Sequence, residues 1–468
     1  MKKFFKNVNE VMQRTPKKTK LIALVGIVLL LVLIIALVVT IIVRRRNNDI
    51  VTITYANWNL GSARDNALEL RMIQSFMDMH PNIRVEIDQN ITTTNWTDSL
   101  AIAASQNRLP DVFMLEDIGS KAANGWLMNI TPHIWTDLDF FDLTSNVQEA
   151  MRINNIMYAV PFAQNIHGYF VNRDLLRDMG IDQPSFGISA HDFINAVRAS
   201  TDLSRPTIGL NNAFSLVEWY PSAVNPIFDF FAYDGLGFAL NSPEMQEAVR
   251  LAASLNNDGY TFDGIPYTGN FPAGNALGAF LDGQMAFFYG GSWNIDVMVN
   301  QTSFDWAFIG VPGGRSIITL EVLGIASSTN HPEEAYMLAR WMSHGAEGSQ
   351  RRLEYARDMG ILPGSLPVSQ SSYVLDELLK IMPAPGLLEI YQSIDRALID
   401  GLRILPGYMQ ARFTAPTGVA VDDSLFTDIG VDSLIRYSIA GNIYFPDISY
   451  IAEEVARHQL DSAQIPFR

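Results

Sequence analysis

The 468-residue chain has no cysteine. Disulfides therefore contribute nothing to its stability, a thiolate zinc site is excluded, and so is a lipid anchor carried on an N-terminal cysteine. Histidine is scarce. The seven present (His80, His133, His167, His191, His331, His344 and His458) show no H-E-x-x-H or other paired spacing, so no zinc site is expected. No P-loop and no G-x-S-x-G elbow occur, and Asp234-Gly235-Leu236-Gly237 is too short for a dinucleotide fingerprint. Neither metal nor cofactor is expected. Repeats of solenoid length and low-complexity tracts are also missing. Basic residues thin out after residue 46: the first 46 residues carry a net +9 and the remainder a net −25. Such an acid excess argues against nucleic acid or anionic lipid as a partner of the body.

The N-terminus holds the one long apolar run. Leu21–Val43 is 23 residues without a charge, enough at about 1.5 Å per residue to cross a hydrocarbon core of roughly 30 Å. It exceeds the h-region of a cleaved signal peptide, and no A-x-A site follows, which favours an uncleaved anchor. Seven basic residues precede the span and Arg44–Arg46 follow it, so the heavier flank predicts the N-terminus inside and the body on the extracytoplasmic face of the plasma membrane.

Over the whole chain, 48% hydrophobic and 11% aromatic residues indicate a globular body with room for more than one domain. Val51–Tyr55, Ile83–Ile87 and Val112–Leu115 read as strands. Helical patterns at Ala67–His80 and Asn95–Gln106 separate them, a β-α-β-α-β order that implies a parallel sheet. In Ile156–Gly180 one apolar run stops at Pro161 and an alternating one resumes at Ile166, with Gln164 and Asn165 between them. Ser242-Pro243-Glu244 is a helix start. Met285–Tyr289, Asp305–Val311 and Leu323–Ser327 read as strands, Pro332–Ser343 and Leu387–Leu402 as helices. The polar stretch Phe413–Phe445 reads as an irregular insertion.

In this order the segments resemble the extracellular solute-binding proteins of ABC transporters, in the carbohydrate-binding group that includes maltose-binding protein. Leu109-Pro110-Asp111-Val112-Phe113 with Glu116-Asp117 is similar to the strand and loop that present an acid to the sugar. Met157-Tyr158-Ala159-Val160-Pro161 with Tyr169 and Asn172-Arg173-Asp174-Leu175 is similar to the first inter-lobe crossing, and Asp282-Gly283-Gln284-Met285-Ala286 with Gly290-Gly291-Ser292-Trp293 to a strand ending in Gly-x-Trp. Gly324-Ile325-Ala326 completes the series. Each pattern is short; their order over some 350 residues makes the match.

The resemblance implies a two-lobed α/β periplasmic-binding-protein-like fold with discontinuous lobes behind one transmembrane helix. The expected layout is a cytoplasmic segment 1–20, anchor 21–43 and linker 44–50. Lobe one takes 51–162 and 307–355; lobe two takes 163–306 and 356–468, with an insertion near 413–445. It further implies a monomer, with no catalysis, that captures a sugar or oligosaccharide and delivers it to ABC permease subunits. Phe162–Gln164 would be the hinge. Sugars need planar aromatics against their C–H faces and carboxylates or amides at their rims. The candidate ligand residues are Trp58, Asn59, Glu116, Asp117, Gln164, Asn165, Tyr169, Trp219, Tyr220, Trp293, Asn294 and Tyr391. Large aromatics are as a rule buried, so each of these is also a candidate core residue. Three other readings stay open: a surface glycosidase pairing Glu116 or Asp117 with Glu218, an adhesin, or the same fold binding a peptide or polyamine.

Overall fold

The computed structural model describes residues 30–35, 50–61, 63–265, 271, 274–421 and 429–464. Residues 30–35 are helical and exposed. The rest of the expected span Leu21–Val43 lies outside the described residues, and among these no helix is long and apolar enough to cross a membrane. The chain divides into two compact units. The smaller takes Met1–Thr52 and Met77–Arg84; Ile53–Phe76 and Val85–Arg468 form the larger, which carries the site described below.

The strands are β1 (Val51–Ala56), β2 (Ile83–Ile87), β3 (Val112–Met114), β4 (Arg152–Ile153), β5 (Ile156–Met157), β6 (Ala159–Asn172), β7 (Ile208–Leu210), β8 (Met285–Gly291), β9 (Trp306–Phe308), β10 (Ile317–Ile325) and β11 (Leu398–Asp400). β3, fully buried and wholly apolar, sits inside the sheet as such a run requires. It is parallel to β1 (Tyr55 beside Val112) and antiparallel to β10 (Gly324 beside Phe113). β10 continues to β6, β6 to β8, and β8 to β7. The expected β-α-β-α-β unit is present, but the sheet as a whole is mixed.

Two long strands organise this sheet. The first half of β6 pairs with β10, and its second half pairs with β8 and β9 (Tyr169 beside Tyr289, Val171 beside Ala307). Pro161 does not end the strand. Ala163 faces Glu321 while Pro161 faces Val322, so Phe162 is an extra residue in a β-bulge. A proline without an N–H is tolerated where the ladder is already interrupted.

Helices cover the sheet. Trp96–Ser105 buries Trp96, Leu100 and Ala103 at helical spacing. Asn172 ends β6 and caps the next helix, accepting from the Leu175 N–H at 2.9 Å. A large core around Phe193, Phe231 and Phe287 takes in Ala307, Ile309, Val311 and Ile317, then Leu398, Leu434, Ala452, Ala456 and Leu460.

Three local expectations are corrected. Leu387–Leu402 is a helix only over Leu387–Tyr391, and Leu398–Asp400 lies parallel to Ile317–Thr319 as β11; pairing with β10 overrides the local periodicity. The stretch Phe413–Phe445 contains the helix Val431–Ile439, whose Leu434 and Ile435 are fully buried. The strand expected at Leu323–Ser327 begins at Ile317.

Candidate functional site

Successive residues of a strand face opposite ways. In β6 that puts Asn165 and His167 on one face and Gln164 and Ile166 on the other. Asn165 lies opposite Thr319 of β10, and Thr319 is registered with Asp400 of β11. Polar side chains of three strands therefore meet on a single face. Asn165 Nδ2 donates to Glu321 Oε1 (3.2 Å), His167 Nε2 lies 3.0 Å from Thr319 Oγ1, and Thr319 donates to Asp400 Oδ2 (2.9 Å). Burial holds the His167 pKa below its ordinary value, against the pull of the Asp400 charge.

Two tryptophans flank this row. Trp58, in a short 3-10 turn after β1, donates Nε1–H to Glu321 Oε2 (3.2 Å) and meets Trp96 edge-on at 5.3 Å. The Arg403 guanidinium lies 4.8 Å from the centre of its ring. Trp293 follows β8 and meets the His167 ring edge-on at 5.0 Å. It is 46% exposed, and a side chain on Gly291 would collide with its ring. The Gly-Gly turn thus clears room for the indole while leaving one side open.

Behind His167 lies a second, buried layer. Tyr289 donates its hydroxyl to Glu218 (2.8 Å), and Arg412 binds Asp432 (2.7 Å) and stands 4.0 Å from Glu218. Burial pushes the Glu218 pKa up to about 7, opposed by the Arg412 charge.

The twelve candidates thus part company. Trp58, Asn165 and Trp293 meet around the polar row. Gln164 faces the other way, 1% exposed, and donates to the Pro367 carbonyl (2.9 Å). Tyr391 also donates to Pro367 O (3.1 Å) and is buried. Tyr169 and Trp219 are core residues, the indole donating to the phenol oxygen at 2.8 Å. Tyr220 packs against that core. A buried ring offers no face to a solute, which removes Tyr169, Trp219 and Tyr391 from the ligand set. Asn294 accepts from the Gly291 N–H (3.1 Å), and the Asn59 N–H donates to Asn57 Oδ1 (2.8 Å). Asp117 caps the helix Ile118–Ala123, accepting from Ser120 N–H at 2.6 Å, and lies 3.4 Å from Lys121. Glu116 accepts from the Thr97 hydroxyl and pairs with Lys121 at 3.3 Å. Glu116 and Asp117 line a separate recess of about 530 Å³ with Leu402, Leu405–Gln410, Gln459 and Ser462–Gln464.

His167, Thr319, Glu321, Asp400 and Arg403 were not among the candidates. Thr319 and Glu321 did leave a signal, since they are the polar residues in the otherwise apolar run IITLEVLGI. Asp400 and Arg403 left none, because they sit in and beside a stretch with helical periodicity. Among the described residues no cluster of three or more His, Asp or Glu side chains is placed to hold a metal ion.

A mixed α/β body crossed by two long antiparallel strands, with a row of polar groups and a half-open indole where they cross, defines a two-lobed binding protein. The chain belongs to the bacterial extracellular solute-binding proteins, whose family model matches residues 71–377; it is a binding protein and not an enzyme, as the resemblance implied. Its fold is shared with an ABC substrate-binding protein from Listeria monocytogenes in complex with cycloalternan (18% identity, 88% of this chain and 100% of that one, TM-score 0.65). It is also similar to a cyclic alpha-maltosyl-1,6-maltose binding protein from Arthrobacter globiformis (19% identity, 88% and 99%, TM-score 0.65). A third is a solute-binding protein from Thermotoga lettingae bound with alpha-D-tagatose (16% identity, 88% and 100%, TM-score 0.61). No curated protein matches the chain.

Proposed function

We propose that the chain captures a neutral sugar or oligosaccharide where β6 and β10 cross, and delivers it to an ABC permease in the membrane that its N-terminal span anchors it to. One observation carries the choice of ligand: the carboxylates of the site are already engaged by neutral or backbone donors. Glu321 accepts from Trp58 and Asn165, and Asp400 from Thr319 and the Leu402 N–H. The Arg403 guanidinium, 3.9 Å from Glu321, opposes a polyamine here, and an anion would meet an acid surplus. Each oxygen keeps a second lone pair for a hydroxyl, and Trp293 offers an indole face to a C–H surface. The sugars named with three structures of the same fold agree with this reading.

The β-bulge at Phe162 supports a hinge at Phe162–Gln164, because an interrupted ladder bends more readily. We place the first lobe at 53–163 with roughly 320–381, and the second at 165–317 with 398–464. Bulge and core membership support a second crossing within β10 in place of the one expected at residue 307. Binding in the cleft would draw the lobes together, and a permease that accepts only the closed form would couple capture to delivery.

The test is a thermal-shift screen of the full-length protein against sugars, short peptides and polyamines. A sugar should raise the melting temperature, since a ligand held only by the folded state stabilises it. Stabilisation by peptides or polyamines alone would refute the choice of ligand, and no compaction in small-angle scattering with a stabilising sugar would refute the hinge.

A further inference from the structure

Arg403 is held in place but not used. Its guanidinium lies over the Trp58 ring at 4.8 Å and is four-fifths buried, with 19% of the side chain exposed. Its nearest carboxylate oxygen, Glu321 Oε1, is 3.9 Å away, too far for a hydrogen bond. The Nε is buried and has no hydrogen-bond partner among the described residues. Glu321 cannot swing to meet it without giving up Trp58 and Asn165, whose own Oδ1 accepts from Ser365 at 3.0 Å. A mostly desolvated guanidinium with donors to spare is costly unless an acceptor completes it.

We infer that Arg403 is the ligand-anchoring donor of the cleft, and that its planar fork takes the two oxygens of a vicinal diol on a neutral sugar. This rests on the sugar-binding reading above and names the group that selects the ligand. A guanidinium presents parallel N–H groups at fixed spacing, so it matches two acceptors in one plane where an ammonium would meet only one. The cation–π contact with the Trp58 ring holds the guanidinium in position. A carboxylate on the ligand would fit the same geometry, but Glu321 is 3.9 Å from the guanidinium, and Asp400 is one hydrogen bond beyond the Thr319 that shares the site's face. That acid surplus selects hydroxyls over an anion.

The experiment compares the full-length protein with Arg403→Lys and Arg403→Gln by titration calorimetry. The probes are maltotriose, cellotriose, tagatose and digalacturonate, and, for the tightest neutral binder, its monodeoxy analogues. The one charge-assisted hydrogen bond lost in Arg403→Lys should weaken that sugar between about tenfold and a hundredfold, and Arg403→Gln, which loses the charge as well, should weaken it further. The wild type should reject one deoxy analogue that Arg403→Lys no longer distinguishes, a result that a merely structural arginine would not give. Ligand-free melting curves of the two variants show whether the fold is kept, and the lysine variant, which keeps the charge and most of the stem, carries the test if the glutamine variant unfolds. Unchanged affinity in Arg403→Lys overturns the inference alone. Digalacturonate binding more tightly than any neutral sugar overturns the choice of diol. A wild-type protein that binds none of the four overturns the sugar reading, and this inference with it.

Discussion

Replacing Trp293 by alanine should weaken the ligand far more than its position on a turn suggests. The indole is 46% exposed beside the polar row. A tryptophan has about 250 Å² to bury, so roughly 100 Å² is open to a ligand. At about 25 cal/mol per Å², a sugar covering half to all of that surface gains between about 1 and 2.5 kcal/mol. The dissociation constant of Trp293→Ala should therefore rise between about fivefold and seventyfold. The other half of the ring packs beside Gly291 and His167, so some stability is lost as well. Affinity is therefore measured by calorimetry well below the melting temperature of the variant. Trp293→Phe, which keeps a smaller face, should fall between the two. An unchanged dissociation constant in Trp293→Ala would refute the argument that this ring is the open wall of the site.

Two further outcomes follow from buried charges. Asp137, 5% exposed, accepts from the Tyr336 hydroxyl (2.7 Å) and Arg340 Nε (3.1 Å) and lies 2.8 Å from His344 Nε2. Burial alone would raise its pKa, but the bonds to His344 and Tyr336 and the Arg340 charge hold it well below the usual carboxylate range. Its contribution is present above the ordinary aspartate pKa and lost as acid protonates it, and Asp137→Ala should cost about 3–5 kcal/mol in denaturant melts at pH 7 by stranding its partners. Glu218 has the opposite sign. With its pKa pushed up from 4.5 to about 7, the native state holds a proton that the unfolded chain releases, so stability falls as pH rises from about 4.5 to 7. Glu218→Gln should flatten that decline, and melts in which the decline persists would show that another group causes it.

Which parts of the molecule are legible in the chain follows from the range of the forces involved. Cysteine-free composition, the charge break at residue 46, the β-α-β-α-β opening and the capped helix after Ser242 are local properties, and the sequence carries them openly. Trp293 was visible because Gly290-Gly291-Ser292-Trp293 resembles a strand ending in Gly-x-Trp. Whether an aromatic stands in a cleft or a core is not local. Tyr169 and Trp219 bond each other in the interior only because β6, β8 and the helix after Phe214 converge there, and Tyr391 is covered by the segment around Pro367. Asp400 and Arg403 reach the site because a strand of three residues joins β10, a pairing across some 80 positions that no window around them reveals. The sequence by itself carried the short motifs whose order resembles the family, and it carried the opening elements, which rest on periodicity and short-range turn chemistry. Which polar groups face one another was decided by strand register, where a shift of one residue turns Asn165 away and Gln164 in.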